Sequence, residues 1–182
     1  MTTLIICPGM HDPLWTETLR RQLDHGELWP SAYDVFPLHQ RWAWSPHTLR
    51  LWLEATVELG SPLVFMGFSA GCVAAISAAW ACQHRTDYPV EAVIALDGWM
   101  VPLVGPFATY RLSHDRYTHI TGALWGRGDQ DFYADPAVTH PQLWQSPHQV
   151  WGWAGGAPGE TTRQYMTALQ FLRQCLCGHG VI

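Results

Sequence analysis

The sequence is poor in charge and contains no basic cluster. Only 14% of its 182 residues are charged, and the formal net charge is −5. Proteins whose main partner is nucleic acid or an anionic membrane surface usually carry a patch rich in lysine and arginine. We therefore expect neither partner, and a small neutral or apolar ligand fits this composition better.

Long apolar stretches are also missing. No segment is apolar for long enough to span a bilayer, and residues 1–7 lack the basic and apolar regions of a signal peptide. These absences predict a cytoplasmic protein without a membrane span.

Cysteines are few and have no metal-like spacing. There are five, an odd number without a Cys-x-x-Cys pair, which indicates reduced thiols. We predict no metal and no cofactor, and the sequence leaves the oligomeric state open. With 48% hydrophobic residues, the chain is long enough to bury a sizeable core, so residues 1–182 are expected to form a single domain.

One stretch has a distinctive pattern. Residues 62–68 form an apolar run typical of a buried strand, and the alanine-rich residues 72–82 are typical of a helix. Ser69 lies between them, flanked by Gly67 and Gly71 in a Gly-x-Ser-x-Gly pattern. This pattern predicts a tight strand-to-helix turn that exposes the serine hydroxyl as a nucleophile, which then requires a histidine base.

The remaining chain alternates apolar β-rich runs with helix-like segments. The predicted strands are residues 3–7, 33–36, 62–68, 90–96, 119–125 and 148–153, and the last predicted helix covers residues 160–176. Such alternation favours right-handed crossovers. We predict an α/β three-layer sandwich with a mostly parallel sheet of about six strands.

A segment without clear periodicity interrupts this alternation. Residues 98–118 are rich in tryptophan, proline and other apolar residues but follow neither a helical nor a strand period. We expect a lid-like insertion at about residues 98–118 that shapes an apolar pocket.

In its Gly-x-Ser-x-Gly turn and its order of elements, the chain resembles the α/β-hydrolase family, over nearly all 182 residues. The resemblance implies Ser69 as nucleophile and the amide of Ala70 as one oxyanion donor. The loop after the first strand would supply the second donor, for which Met10 is the candidate.

Two aspartates are candidates for the acid that orients the histidine. Asp97 ends the predicted strand 90–96, where catalytic groups of parallel sheets gather, although Asp97-Gly98 is equally typical of a simple turn. Asp129 follows the predicted strand 119–125 in a Gly-x-x-Asp arrangement, where the family usually carries its acid. Asp131 lies close behind it.

The histidine base is the point of departure from the family. Family members place it after the last strand, but residues 152–159 contain no histidine. Either another histidine serves, or the site has lost its base. His114 and His119, near the end of the predicted lid, are the best placed, with His114 preferred of the two, and His11 is next. The first alternative predicts a serine hydrolase that cleaves a small ester or thioester with an apolar portion. The second predicts a catalytically degenerate protein that binds a ligand or partner without turnover.

Overall fold

A computed structural model of the protein describes residues 1–25, 30–37, 45–85, 88–155 and 162–182. Strands and helices alternate along most of this length. The strands are β1 (Thr3–Cys7), β2 (Tyr33–Val35), β3 (Leu63–Phe68), β4 (Val90–Leu96), β5 (Ala108–Ser113), β6 (Gln130–Ala134), β7 (Trp151–Gly155) and β8 (Arg163–Thr167). The helices are α1 (Pro13–His25), α2 (Pro46–Thr56), α3 (Gly71–Arg85), α4 (Arg116–Ala123), α5 (His140–Gln145) and α6 (Ala168–Cys177).

The strands form one sheet in the order β2-β1-β3-β4-β5-β6-β7-β8. The strands from β1 to β6 are parallel to one another, and β7 and β8 complete the sheet as antiparallel strands. Because parallel strands point the same way, their carboxyl ends meet at one edge. The predicted α/β sandwich with a mostly parallel sheet is confirmed, with eight strands instead of about six.

Helices cover both faces of the sheet. Alternate side chains of the central strands enter two separate hydrophobic cores, as Val64 and Phe65 of β3 show. One core includes Leu143 of α5 and Phe171 of α6, and the other includes Leu49 of α2 and several alanines of α3. Burial on both faces explains why the central strands read as continuous apolar runs.

Several predicted boundaries were wrong in the C-terminal half. Residues 119–125, predicted as a strand, lie largely in helix α4. The predicted lid at residues 98–118 contains the whole of β5, so its irregular part is shorter. In the predicted helix 160–176, residues 160 and 161 lie outside the described residues, and Arg163–Thr167 forms β8 before α6 begins.

Within the described part of the chain, none of the helices combines the length and the apolar character needed to cross a membrane.

Candidate active site

The chain turns sharply at Ser69, between β3 and α3. Ser69 has a backbone φ of +52°, an uncommon value for a residue with a side chain and a sign of backbone strain. Its amide donates to the carbonyl oxygen of Leu96 at 2.9 Å, and its carbonyl accepts from the amide of Cys72 at 3.1 Å. These bonds fix the serine at the carboxyl edge of the sheet, at the start of a helix.

The two glycines beside Ser69 are required by close backbone contacts. A Cβ on Gly67 would lie 2.8 Å from the Cα of Cys72, and one on Gly71 would lie 2.1 Å from the carbonyl oxygen of Cys7. Real Cβ atoms essentially never approach so closely. The glycines therefore allow α3 and the end of β1 to pack directly against the turn.

The loop after β1 touches the serine. A Cβ built on Gly9 would lie 2.9 Å from the Cβ of Ser69. The amides of Ala70 and of Met10, the two predicted oxyanion donors, have no acceptor among the residues that the structure describes. Both amides are thus available as donors, the one next to Ser69 in the chain and the other next to Gly9, and the N-terminus of α3 adds a partial positive charge.

Asp97 follows β4 and is the acidic group next to the serine turn. It is buried and has a positive φ of +50°. The backbone amide of His114 donates to its Oδ1 at 2.9 Å, and Oδ2 contacts the Nδ1 atoms of His114 at 2.9 Å and of His140 at 2.7 Å. One carboxylate therefore orients two imidazole rings.

The hydrogen bonds around Asp97 shift the pKa values of its carboxyl and of His114. Burial opposes ionisation of Asp97, but the hydrogen bonds from His114 and His140 outweigh it and lower the pKa of the carboxyl. The hydrogen bond to Asp97 raises the pKa of His114, against the effect of burial. Because an ionised carboxylate can only accept, both Nδ1 atoms donate, and in a neutral ring Nε2 is left as the acceptor.

The two imidazoles differ in what surrounds them. His114 follows β5, and its Nε2 lies 3.4 Å from Oδ2 of Asp115. His140 begins α5, and its ring stacks on that of Phe68, the residue before Ser69. The Nε2 of His140 has no hydrogen-bond partner among residues 1–25, 30–37, 45–85, 88–155 and 162–182. His140 is thus the ring with the more accessible acceptor.

Ser69, Asp97 and both histidines line one cavity of about 400 Å³. Its remaining wall is mainly apolar and comes from Val73, Trp99, Val101 and Thr118, with Ala70 at the turn. A volume of this size suits a small organic ligand with an apolar portion.

Arg111 of β5 fixes the part of this wall that follows β4. The arginine is 2% exposed and donates to the carbonyl oxygens of Gly98 at 3.0 Å, Val101 at 3.1 Å and Gly126 at 2.9 Å. The guanidinium, whose donors have a fixed planar arrangement, therefore connects the sheet to the irregular segment beside the cavity.

Cys72, on the first turn of α3, is not suited to act as a nucleophile. Its thiol is buried and contacts the carbonyl oxygen of Leu96 at 3.5 Å. Burial raises the pKa of the thiol to about 12, so the reactive thiolate is scarce at neutral pH.

Two residues predicted for the site lie elsewhere. Asp129 precedes β6, at the amino edge of the sheet, where it accepts bonds from the amide of Thr109 at 2.8 Å and from its hydroxyl at 3.1 Å. His119 lies on α4, 3.7 Å from the buried Asp131, which also pairs with Arg127. The structure brings neither Asp129 nor His119 to the cavity of Ser69.

His11 lies near the serine turn, but neighbours occupy both of its ring nitrogens. Nδ1 contacts the carbonyl oxygen of Asp12 at 2.8 Å, and Nε2 lies 3.4 Å from the hydroxyl of Thr16. Burial lowers the pKa of His11. The ring packs edge-on against Phe68 and does not line the cavity.

His140 was not predicted as a site residue. A histidine was expected after residues 148–153, whereas the last parallel strand is β6, and His140 follows that strand. The sequence feature that could have identified His140 is its Thr-His-Pro context. Thr139 caps a new helix through a capping box with Gln142, which places His140 at the start of that helix.

The sheet order, the helices on both faces and the serine turn together define an α/β-hydrolase-type fold. A solved structure, YbtT, described as a type II thioesterase from the yersiniabactin NRPS/PKS biosynthetic pathway, is similar with a TM-score of 0.64 and 13% sequence identity. The match covers 100% of this chain and 94% of that chain. Neither a protein-family model nor a curated protein sequence matches. At this identity the structural likeness shows the fold alone.

Proposed function

We propose that the protein is a serine hydrolase that cleaves a small ester or thioester through an acyl-enzyme on Ser69. One observation carries the proposal: a serine held at positive φ shares a cavity with a buried carboxylate that orients two imidazoles. This combination of nucleophile, base and acid is the arrangement that acyl transfer needs, whatever the order of the residues along the chain.

In the first half-reaction, the hydroxyl oxygen of Ser69 attacks the substrate carbonyl. Nε2 of a histidine accepts the hydroxyl proton, while Asp97 keeps the proton of Nδ1 on the ring and stabilises the imidazolium. The negative charge that develops on the carbonyl oxygen faces the amides of Ala70 and Met10. The imidazolium then returns its proton to the leaving alkoxide or thiolate.

In the second half-reaction, water replaces the leaving group. The same histidine removes a proton from water, the hydroxide attacks the acyl-Ser69 ester, and the proton returns to the serine oxygen as the carboxylic acid leaves. The chain's own residues perform every proton transfer in this scheme.

His140 is the preferred base in this proposal, and His114 is the alternative that the sequence predicts. The accessible Nε2 of His140 and its contact with Phe68 favour it, whereas Asp115 lies beside Nε2 of His114. The hydroxyl of Ser69 forms no hydrogen bond with either ring within the described residues, and such bonds often tighten only when substrate binds.

We favour a thioester with an apolar acyl group as the substrate. The apolar wall of Val73, Trp99 and Val101 suits an acyl chain. Support for a thioester comes from the type II thioesterase with the similar fold. A cytoplasmic location, as the sequence predicts, belongs to the same proposal.

The test is labelling of the purified protein with a fluorophosphonate probe, which reacts with activated serines independently of the substrate. We expect labelling of the wild type and none of Ser69→Ala. His140→Gln is expected to slow labelling by about 10²- to 10⁴-fold, the usual contribution of a general base. A larger loss in His114→Gln than in His140→Gln would instead identify His114 as the base.

A panel of acyl thioesters and matching oxygen esters of increasing chain length then defines the substrate. We expect the highest kcat/KM for thioesters whose acyl chain fills the cavity. Failure of the folded wild type to label and to hydrolyse any substrate would contradict the proposal and favour the non-catalytic binding protein.

A further inference from the structure

Asp97, His114 and His140 bring three metal-ligating groups together. One ligand atom from each residue lies within 4.8 Å of the others. Both Nδ1 atoms approach the same carboxylate oxygen, Oδ2 of Asp97, at 2.9 and 2.7 Å. The three residues are far apart in sequence, so the spacing rules that exclude a cysteine site do not detect them.

The donor set suits zinc. Zn²⁺ binds imidazole nitrogen and carboxylate oxygen in tetrahedral geometry, and sites with three protein ligands keep a fourth position for an exchangeable ligand. Tetrahedral zinc ligands lie about 3.3 Å apart. To bind zinc, each ring would move about half an ångström away from Oδ2, and the two imidazole nitrogens, which lie within 4.8 Å of each other, would move closer together.

The surroundings of Asp97 favour the same ion. The backbone amide of His114 holds Oδ1, which leaves Oδ2 directed towards the two rings. Hydrogen bonds of this kind orient metal-ligating carboxylates. The side chains of His114 and His140 are 23% and 38% exposed and line the cavity, so an ion can reach them from solvent.

We propose that Asp97, His114 and His140 form a binding site for Zn²⁺ and that zinc at this site inhibits the enzyme. The inhibitory part rests on the proposed function, whereas zinc binding does not. When Nδ1 of a neutral imidazole binds the metal, the ring proton moves from Nδ1 to Nε2. The ring remains neutral, but its Nε2 is then a donor and accepts no proton from Ser69.

Isothermal titration calorimetry with Zn²⁺, on protein treated with a chelator and desalted, tests binding independently of activity. We expect one zinc ion per chain in the wild type. His114→Gln and His140→Gln, each checked for folding by circular dichroism, are expected to bind more than about 100-fold more weakly, since each loses a direct ligand. The matched control is His84→Gln, which changes a histidine in the last turn of α3 and is expected to bind as the wild type does.

Two results of the calorimetry would contradict the proposed zinc site. One is a wild-type dissociation constant weaker than about 1 mM. The other is equal zinc affinity in the wild type and in both active-site variants, which would assign the ion to other ligands.

Fluorophosphonate labelling with added Zn²⁺, with Mg²⁺ and with EDTA tests the inhibition. Mg²⁺ is the control because it prefers oxygen ligands. We expect zinc to suppress labelling in proportion to occupancy, and magnesium and EDTA to leave it unchanged. Undiminished labelling at saturating zinc would refute inhibition. Absence of labelling in EDTA would contradict the hydrolase proposal, while calorimetry would still decide the zinc site.

Discussion

The imidazole of His140 lies almost flat against the phenyl ring of Phe68, with ring centroids 4.5 Å apart and planes inclined by 22°. Trp144 stacks on the same phenyl ring at 4.8 Å. Phe68 immediately precedes Ser69, so this contact sets the position of the proposed base relative to the nucleophile.

We predict that Phe68→Leu slows fluorophosphonate labelling by about tenfold or more, because small displacements of a catalytic group cost large factors in rate. The matched control is Phe65→Leu, in the same strand but in the opposite core, where the side chain is equally buried. Both variants should lose about 1–2 kcal/mol of unfolding free energy. Equal labelling rates in the two variants would show that the stacking contact does not position His140.

The close approach of β1 to Gly71 makes the serine turn sensitive to a single methyl group. We predict that Gly71→Ala lowers the unfolding free energy by about 1–3 kcal/mol and slows labelling, because its Cβ displaces the carbonyl of Cys7. Gly178→Ala is the control, since a Cβ there meets only carbonyl oxygens at 3.5 Å and the residue already has helical backbone angles. A Gly71→Ala variant with wild-type stability and labelling would contradict the packing described for the turn.

His119 is expected to contribute to acid lability instead of catalysis. Burial lowers the pKa of His119 in the folded protein, against the effect of Asp131, while the unfolded chain titrates near the ordinary value of about 6.5. Between these two pKa values the unfolded state binds more protons, so stability falls as the pH decreases below about 6.5. Urea denaturation across this range should show a shallower decline for His119→Gln than for the wild type. The same decline of unfolding free energy with decreasing pH in both proteins would contradict this account.

Arg111 should affect both stability and substrate preference. Arg111→Met removes the donor of the carbonyl oxygens of Val101 and Gly126, at about 1–3 kcal/mol for each group that stays buried, while the carbonyl oxygen of Gly98 keeps the amide of Val101. We expect lower unfolding free energy and a higher KM for long acyl chains. Arg111→Lys should restore only part of either property, because an ammonium does not reproduce the planar donor array. An unchanged KM profile would limit Arg111 to a purely structural role.

The sequence predicts the N-terminal half well because β1, β3 and β4 are almost wholly buried and therefore form nearly continuous apolar runs. β1, β3 and β4 lie where the apolar runs are, and Ser45 caps α2 through a bond from the amide of Thr48 at 3.3 Å. The turn at Ser69 follows from local chemistry alone, since small residues and an abrupt end of the apolar run indicate it.

The C-terminal half was harder because its strands contain buried polar residues. Arg111 lies in the middle of β5 and Asp131 in β6, and both make contacts beyond their local sequence, Arg111 with the carbonyl oxygen of Val101 and Asp131 with Arg163. Helix α4 shows the opposite case, because it contains apolar residues that are exposed to solvent. Ile120, for example, is 55% exposed, although it was predicted to lie in a buried strand. Because these strands were assigned to the wrong residues, the position of His140 after the last parallel strand, β6, was not recognised.

The candidate site was therefore predicted in part. Ser69, Asp97 and His114 were each proposed from local sequence, and the structure places all three in one cavity. Their roles remain proposals. The choice between Asp97 and Asp129 depended on which strand edge each one occupies, and that is a property of the sheet order, which short-range patterns do not contain.

Hydrogen bonds from Arg111 hold the backbone at residues 98 and 101, whereas a side chain between them, Trp99, forms part of the cavity surface. The arginine binds backbone carbonyl oxygens, which every residue supplies, so a substitution of the exposed Trp99 side chain leaves both hydrogen bonds in place. Trp99 and Met100 are exposed and Trp99 faces the cavity. Mutational libraries at Trp99 and Met100 can thus change the surface of the cavity, and with it the proposed acyl selectivity, while the sheet and the proposed catalytic groups stay in place.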